Sequence, residues 1–129
     1  MSNADKVRDF MVTFKQEVKS EPERPAEDIV GLRVDLIEEE CDELRQAVYF
    51  SDGARVDGAM VDIADALCDI LYVVYGMAHS FGIDIDECFR EVHKSNMSKL
   101  GKDGNPIYRK NGKVVKGPNY QPPNLEKCL

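Results

Sequence analysis

Two acidic rows interrupt stretches of this chain that otherwise have the pattern of buried helices. Residues 38–43 are all acidic except Cys41. A second row of three aspartates follows one helix later in the sequence: Asp62, Asp65 and Asp69. Burying a carboxylate costs several kcal/mol (roughly, per ion) unless a positive charge meets it. Between residues 36 and 85 only Arg45 and Arg55 carry such a charge. The missing charge is most simply a divalent metal, which indicates a metal-dependent enzyme acting on a phosphorylated substrate.

Charge is unevenly distributed along the 129 residues, whose net charge is −7. Residues 1–100 carry 11 Lys and Arg against 22 Asp and Glu, whereas residues 101–129 carry six against two. The acidic part argues against nucleic-acid binding, because it offers no basic face to neutralise a phosphate backbone. The basic segment is large enough to contact one triphosphate. We therefore predict a domain over 1–100 with a basic extension over 101–129.

Cysteine usage and hydropathy indicate the compartment. The cysteines at positions 41, 68, 88 and 128 form no CxxC pair, and the first three lie at helix-periodic positions beside apolar residues. They are interpreted as reduced core thiols of a cytoplasmic protein. The longest uncharged run, residues 70–83, is too short to span a bilayer, so no membrane partner is expected.

Apolar periodicity predicts four helices. The first covers about residues 5–19 and ends at a segment with two prolines. The second covers about 26–50 and is broken by Ser51-Asp52-Gly53. The third, 56–81, is apolar on nearly all sides and is expected to be central in a bundle. The fourth begins at Asp84, where Glu87 three residues later suggests a capping box.

The segment after residue 100 has a different character. Residues 107–109 and 114–116 are predicted to pair as a hairpin across Asn111-Gly112. Residues 117–123 have no periodicity and are either a wrapping arm or disordered. The predicted fold class is all-α, a four-helix bundle with a short C-terminal β-hairpin and arm.

The spacing within the two acidic rows suits a shared metal site. Side chains three or four residues apart lie on one face of a helix, so neighbouring carboxylates in each row can flank one ion. Magnesium prefers oxygen ligands from a few carboxylates, waters and substrate phosphates. The alternative is a solvated acidic surface, which is our interpretation of Glu38 and Asp42.

The motifs around these acids resemble those of a known family. Residues 36–44 match the EExxE motif, formed here by Glu39, Glu40 and Glu43, of the all-α nucleoside triphosphate pyrophosphohydrolases, the MazG and dimeric dUTPase group. Residues 64–73 are similar to the second motif of that group, ExxD. Residues 82–84 and 91–99 resemble the helix that follows in a MazG-like bacterial branch. The resemblance covers about residues 30–100.

One position departs from the family pattern. If Asp69 is the last acid of ExxD, the position three residues before it is Ala66 instead of Glu. Either Asp62 or Asp65 substitutes from the same helix face, or the metal site has one ligand fewer. Substitution is favoured, because Asp62 and Asp65 themselves have the spacing of the motif.

The resemblance implies hydrolysis of a nucleotide to a monophosphate and pyrophosphate. It implies Mg²⁺, or Mn²⁺ in its place, held by Glu39, Glu40, Glu43, Asp69 and one of Asp62 and Asp65. One of the three glutamates would orient the attacking water. Family members are dimers or tetramers, so a homodimer or homotetramer is expected.

Five further residues are candidates for substrate binding. The resemblance implies that Asn96 and Lys99 contact the phosphates or the sugar; the alternative is a polar last turn of a helix. Tyr72, one turn beyond Asp69, could flank a base or belong to the core. Lys113 and Lys116 could close over a triphosphate, or belong to a solvated hairpin.

Two other functions remain as alternatives to a general nucleoside triphosphate pyrophosphohydrolase. The first is phosphoribosyl-ATP pyrophosphohydrolase, which has a related fold. The second is a catalytically silent helical metal-binding or interaction module, which the alanine at position 66 would allow.

Overall fold

The chain is mostly helical. The computed structural model describes residues 1–50 and 56–129, with side chains of the second range from residue 59 onward. The described residues form four α-helices, which confirms the helical class: α1 (Asn3–Thr13), α2 (Glu27–Tyr49), α3 (Val56–Phe81) and α4 (Ile85–Met97). A short 3-10 helix covers Glu126–Cys128. The helix break predicted at Ser51-Asp52-Gly53, and Arg55, lie outside the described residues.

Helix α1 is capped at its start and ends earlier than the sequence suggested. Ser2 Oγ accepts a hydrogen bond from the backbone N–H of Asp5, and the Asp5 carboxylate accepts one from the N–H of Ser2. The predicted end near residue 19 is wrong, because Lys15 takes a positive φ of 60°. The N–H of Gln16, three residues after Thr13, then donates to the carbonyl of Met11 and caps the end of the helix.

Helices α2 and α3 pack side by side and run antiparallel. Arg33, early in α2, lies against Gly76, late in α3. Two turns further along α2, Glu40 lies against Asp69, two turns earlier in α3. Helix α1 packs on α3 through its buried residues Val7 and Met11, and His79 Nε2 donates to the carbonyl of Ala4 at 2.7 Å.

One face of α3 is not covered by the residues that the structure describes. The sequence predicted a helix enclosed on all sides, yet the side chains of Leu67 and Leu71 are 48% and 54% exposed. Cys41 and Cys68 are also exposed and Cys128 is half-buried, so the prediction that all four cysteines are core residues is wrong. All four thiols are free, and only Cys88 is buried. The apolar pattern of α3 therefore exceeds what α1 and α2 can cover.

The segment between α1 and α2 runs along the end of α3. The N–H groups of Lys19 and Glu23 donate to the carbonyls of His79 and Phe81, both at 2.9 Å. Gly82 ends α3 with a φ of 68°, and a Cβ there would lie 2.0 Å from the carbonyl oxygen of Glu21. The turn therefore requires glycine for two reasons: its backbone conformation, and the close approach of the segment between α1 and α2.

Gly82→Ala should consequently destabilise the protein by more than a left-handed backbone alone would explain. We expect a loss of more than about 1–3 kcal/mol in the free energy of unfolding, which is the cost of a strained backbone alone, since displacement of the neighbouring segment adds to it. Urea denaturation followed by circular dichroism measures it. Gly112→Ala is the matched control, because Gly112 also has a positive φ of 85° but open space around it. Equal losses for the two variants would contradict the close-approach argument.

Residues 1–83 and 84–129 form two compact units. In the second unit, the Asp84 carboxylate accepts a hydrogen bond from the N–H of Glu87 at the start of α4, as predicted. The hydroxyl of the buried Ser95 donates to the carbonyl of Gln121 at 2.7 Å, and the N–H of Gln121 donates to Ser98 Oγ. Residues 117–123 are therefore an arm held against α4.

The predicted C-terminal hairpin is not shown as a pair of strands. In the described part of the chain, one isolated antiparallel bridge joins Tyr108 to Val114. The N–H of Arg109 donates to the carbonyl of Lys113 at 2.8 Å around the turn at Gly112. The turn dipeptide forms as expected, but the flanking side chains are mostly exposed and no sheet develops. Among the described helices, none has both the length and the apolar character needed to cross a membrane.

Candidate metal centre and adjoining cavity

Three carboxylates converge where α2 and α3 face each other. Glu40 and Glu43 extend from adjacent turns of α2, and Asp69 extends from α3. One oxygen atom from each lies within 4.8 Å of the other two. Glu40 and Asp69 are half-buried, and Glu43 is exposed. The i, i+3 spacing on α2 and the antiparallel packing of α3 together bring the acidic rows to one place.

The carboxylates are held in an unfavourable environment. Burial raises the pKa of Glu40, and hydrogen bonding with Glu43 and the charges of Glu43, Asp69 and Glu39 raise it further. Burial also raises the pKa of Asp69, with added contributions from the charges of Asp65 and Glu43. Within the described residues, Glu40 Oε2 is buried and has no hydrogen-bond partner, and none of the ion pairs involves these three acids.

This donor set fits a hard divalent cation. Magnesium and manganese take oxygen ligands, and a few carboxylates commonly share such an ion with waters and substrate phosphates. The orphaned oxygen of Glu40 and the convergence of three carboxylates match that chemistry. A bound cation would also offset the repulsion between the carboxylates, which contributes to the raised pKa values of Glu40 and Asp69.

The other predicted acidic ligands lie at the margin of this cluster. Glu39 is exposed and contributes its charge to the environment of Glu40. Asp65 is exposed, but it is close enough to raise the pKa of Asp69. Asp62 is exposed as well and does not belong to the converging group. Ala66 is buried, 5% exposed, at the position where the family motif has glutamate.

A cavity of about 310 Å³ adjoins the carboxylates. Helices α1, α2 and α3 all contribute to its lining, and Glu40 and Asp69 lie at one end of it. Tyr72 is part of the wall, as its predicted role beside a base requires, and its ring meets the Phe10 ring edge-on at 5.5 Å between centroids. The cavity gives a ligand bound at the carboxylates an apolar, aromatic surface next to them.

Sequence reasoning missed two residues of this cavity. Arg33 is buried, and its Nη2 donates to Gln16 Oε1 at 3.1 Å. A signal for Arg33 was present: it precedes Glu40 by seven residues, which places both on one face of α2. No comparable signal marks Gln16, which follows the end of α1.

The remaining predicted substrate-binding residues belong to the second unit. Asn96 is exposed at the end of α4, and its carbonyl accepts the N–H of Lys99 at 3.2 Å. The carbonyl of Lys99 in turn accepts the N–H of Gly117. Lys113 lies in the turn, and Lys116 Nζ lies 4.6 Å from the centroid of the Tyr120 ring. Their role in substrate binding stays a prediction.

The raised pKa of Glu40 predicts a pH-dependent difference between wild type and Glu40→Gln. Below the ordinary carboxyl pKa, about 4, Glu40 is protonated in both the folded and the unfolded chain and has no effect. As pH rises above that value, ionisation disfavours the folded state, because the folded pKa is the higher one. In EDTA, the melting temperature of Glu40→Gln should therefore exceed that of wild type by an amount that grows as the pH rises above about 4 and becomes constant above the folded pKa of Glu40. A difference that does not grow as the pH rises above that value would contradict the assignment.

Comparison with known proteins gives two findings. A family model described as phosphoribosyl-ATP pyrophosphohydrolase matches residues 7–96, which include both acidic rows, Gln16 and Arg33. The chain is also similar to an uncharacterized protein of Acanthamoeba polyphaga mimivirus, at 41% identity over 87 residues. That alignment covers 67% of this chain and 30% of the viral protein, so the matched segment spans less than a third of the relative's length.

Proposed function

Since the chain belongs to the phosphoribosyl-ATP pyrophosphohydrolase family, part of the all-α nucleoside triphosphate pyrophosphohydrolase superfamily, we propose that it hydrolyses a nucleoside triphosphate to the monophosphate and pyrophosphate with Mg²⁺. A deoxynucleoside triphosphate is the favoured substrate. The observation that carries this proposal is the convergence of Glu40, Glu43 and Asp69 beside a cavity with aromatic walls. One nucleotide could then bind with its phosphates at the carboxylates and its base in the cavity.

Each acidic residue has a proposed role. Glu40, Glu43 and Asp69 hold the metal, and Asp65 is the aspartate that substitutes for the family glutamate, since its charge acts on Asp69. Bound Mg²⁺ would neutralise phosphate charge and lower the pKa of a coordinated water. Glu39, beside the cluster but not part of it, orients the attacking water. Mn²⁺ is expected to replace Mg²⁺, because both prefer oxygen ligands.

A second candidate function is phosphoribosyl-ATP pyrophosphohydrolase itself. The description of the matching family model favours it. The two activities share the metal and the bond that is cleaved, so the carboxylate cluster supports both. They differ in the base, which is an N1-substituted adenine in phosphoribosyl-ATP.

The test is a phosphate-release screen with added inorganic pyrophosphatase. All canonical ribo- and deoxynucleoside triphosphates and phosphoribosyl-ATP are offered with Mg²⁺, with Mn²⁺ and with EDTA, and in EDTA the monophosphate product is measured directly, because inorganic pyrophosphatase itself requires a divalent metal. We expect metal-dependent release with at least one deoxynucleotide and little with phosphoribosyl-ATP. Release with phosphoribosyl-ATP alone would establish the second candidate. A wild-type protein inert on every substrate would favour the non-enzymatic binding module.

We also propose that the chain forms a homodimer or homotetramer through α3. Leu67 and Leu71 would be covered by a second copy, which explains why α3 is apolar on a face that the described residues leave exposed. Leu71→Glu should shift sedimentation toward the monomer, while Lys102→Glu in the exposed basic segment should not. The free thiols are consistent with our proposal of a cytoplasmic, reducing location.

A further inference from the structure

Arg33 is a buried cation whose guanidinium is only partly satisfied. Its residue is 7% exposed, and its Nε is buried without a hydrogen-bond partner among the described residues. Its one side-chain hydrogen bond in that part of the chain goes from Nη2 to the neutral amide oxygen of Gln16. No carboxylate of the described residues pairs with it. Buried arginines are normally paired, so this arrangement points to a ligand atom that completes the guanidinium.

Arg33 and the carboxylates lie at opposite ends of the cavity. Arg33 precedes Glu40 by seven residues on α2, and Gly76 follows Asp69 by seven residues on α3. Both separations are two helical turns, about 10 Å along the axis. The cavity therefore has carboxylates at one end and a guanidinium at the other.

Gly76 makes room for the guanidinium. A Cβ at this buried position would lie 2.8 Å from Arg33 Nη1. Any other residue would push the end of the arginine side chain aside. The glycine thus keeps the guanidinium at the far end of the cavity, where Gln16 orients it.

The lining between the two ends selects the kind of ligand. Apolar and aromatic side chains form most of it: Val7, Phe10, Met11, Leu36, Tyr72 and Val73. Such walls suit a flat, weakly polar ring, and a single guanidinium suits one acceptor at the edge of that ring. A phosphate at this end would need several donors, yet the described lining residues include no lysine and no second arginine.

We propose that Arg33, oriented by Gln16, recognises an oxo group on the edge of a nucleobase that is farthest from the sugar. This inference rests on the proposed function, because it places the phosphates at Glu40 and Asp69. The preferred bases are then 6-oxopurines and 4-oxopyrimidines. The corresponding amino bases place an N–H donor opposite the N–H donors of the Arg33 guanidinium, and they therefore bind more weakly.

The test compares pairs of nucleotides that differ at that edge. Isothermal titration calorimetry with Mg²⁺ measures the binding of dIMP against dAMP, and of dUMP against dCMP, to the 129-residue chain. We expect the oxo member of at least one pair to bind about tenfold or more tightly, the scale of a hydrogen bond to a charged donor. A wild-type protein that binds neither oxo nucleotide more tightly than its partner, or binds none of the four, overturns the proposal.

Three variants assign the preference to Arg33. Arg33→Met keeps the apolar stem and removes the guanidinium, so it should lose the preference and melt no lower than wild type without nucleotide. Gly76→Ala keeps the charge but displaces it, and should reduce the preference as well. Arg24→Met is the matched control, because Arg24 is exposed and pairs with Glu27; it should bind like wild type.

The outcomes separate this inference from the proposed function. A preference retained by Arg33→Met, or by Gly76→Ala if Arg33→Met does not fold, overturns the recognition role even when the wild type is an active hydrolase. A wild type that shows the preference and loses it in these variants supports the recognition role even if it hydrolyses no nucleotide, in which case only the proposed reaction fails.

Discussion

Replacing Asp69 by asparagine should reduce metal-dependent hydrolysis at least roughly a hundredfold, the scale expected when a metal-site group is lost. Asp69 is the α3 carboxylate that meets Glu40 and Glu43, and the variant keeps its size while removing its charge. The measurement is kcat/KM on the best substrate of the phosphate-release screen. Higher Mg²⁺ concentrations should restore part of the lost activity, because a weakened site is filled by mass action.

The two other aspartates of α3 provide the contrast. Asp65→Asn should also lose about a hundredfold, because Asp65 is close enough to Asp69 to raise its pKa and is our substitute for the family glutamate. Asp62→Asn should stay close to wild type, since Asp62 is exposed outside the converging group. The reverse ranking would assign the substitution to Asp62. Wild-type turnover in both variants would mean that neither substitutes.

Glu43→Gln should abolish turnover and stabilise the metal-free protein. The charge of Glu43 raises the pKa of both Glu40 and Asp69, so its removal relieves repulsion on two neighbours at once. Glu43 is exposed, and solvent screening keeps the expected gain small, a rise of roughly one to a few degrees in melting temperature at neutral pH. Thermal melts in EDTA measure the gain. In Mg²⁺, the wild type should recover or exceed the melting temperature of the variant.

Glu38→Gln is the matched control for this pair of effects. It removes an equal charge from the same helix, outside the three-carboxylate cluster. Its activity and its response to Mg²⁺ should equal those of wild type. A Glu43→Gln protein that melts lower than wild type in EDTA and remains active would show that Glu43 has a structural role only.

Local signals were sufficient for the helical elements of this protein. Apolar periodicity and the flanking turn residues placed α2 and α3 within about a residue of their observed ends, and Asp84 was recognised as the cap of α4. These features depend on interactions between residues a few positions apart, which spacing alone specifies. The family was likewise recognisable from the sequence, because its motifs lie within single helices.

The end of α1 and the C-terminal hairpin show where local signals fail. Residues 14–19 continue the apolar spacing of α1, but the N–H of Gln16 donates to the carbonyl of Met11 and the N–H of Lys19 donates to the carbonyl of His79 near the end of α3. The hairpin dipeptide formed its turn, yet its flanking residues had no surface to pack against within the described unit. In both places tertiary contacts decided between two locally acceptable conformations.

The sequence by itself determined that acidic rows interrupt two apolar helices and need a cation. Only the tertiary structure decided which acids converge, because the antiparallel register of α2 and α3 pairs Glu40 and Glu43 with Asp69 and leaves Asp62 outside. The same register brings Arg33 against Gly76, two turns from the carboxylates. The seven-residue spacing places Arg33 on the same face of α2 as Glu40, but it does not show that Arg33 is buried. Its environment is set by side chains from α1 and α3 that are distant in the sequence, and burial is what turns an ordinary charge into a candidate binding group.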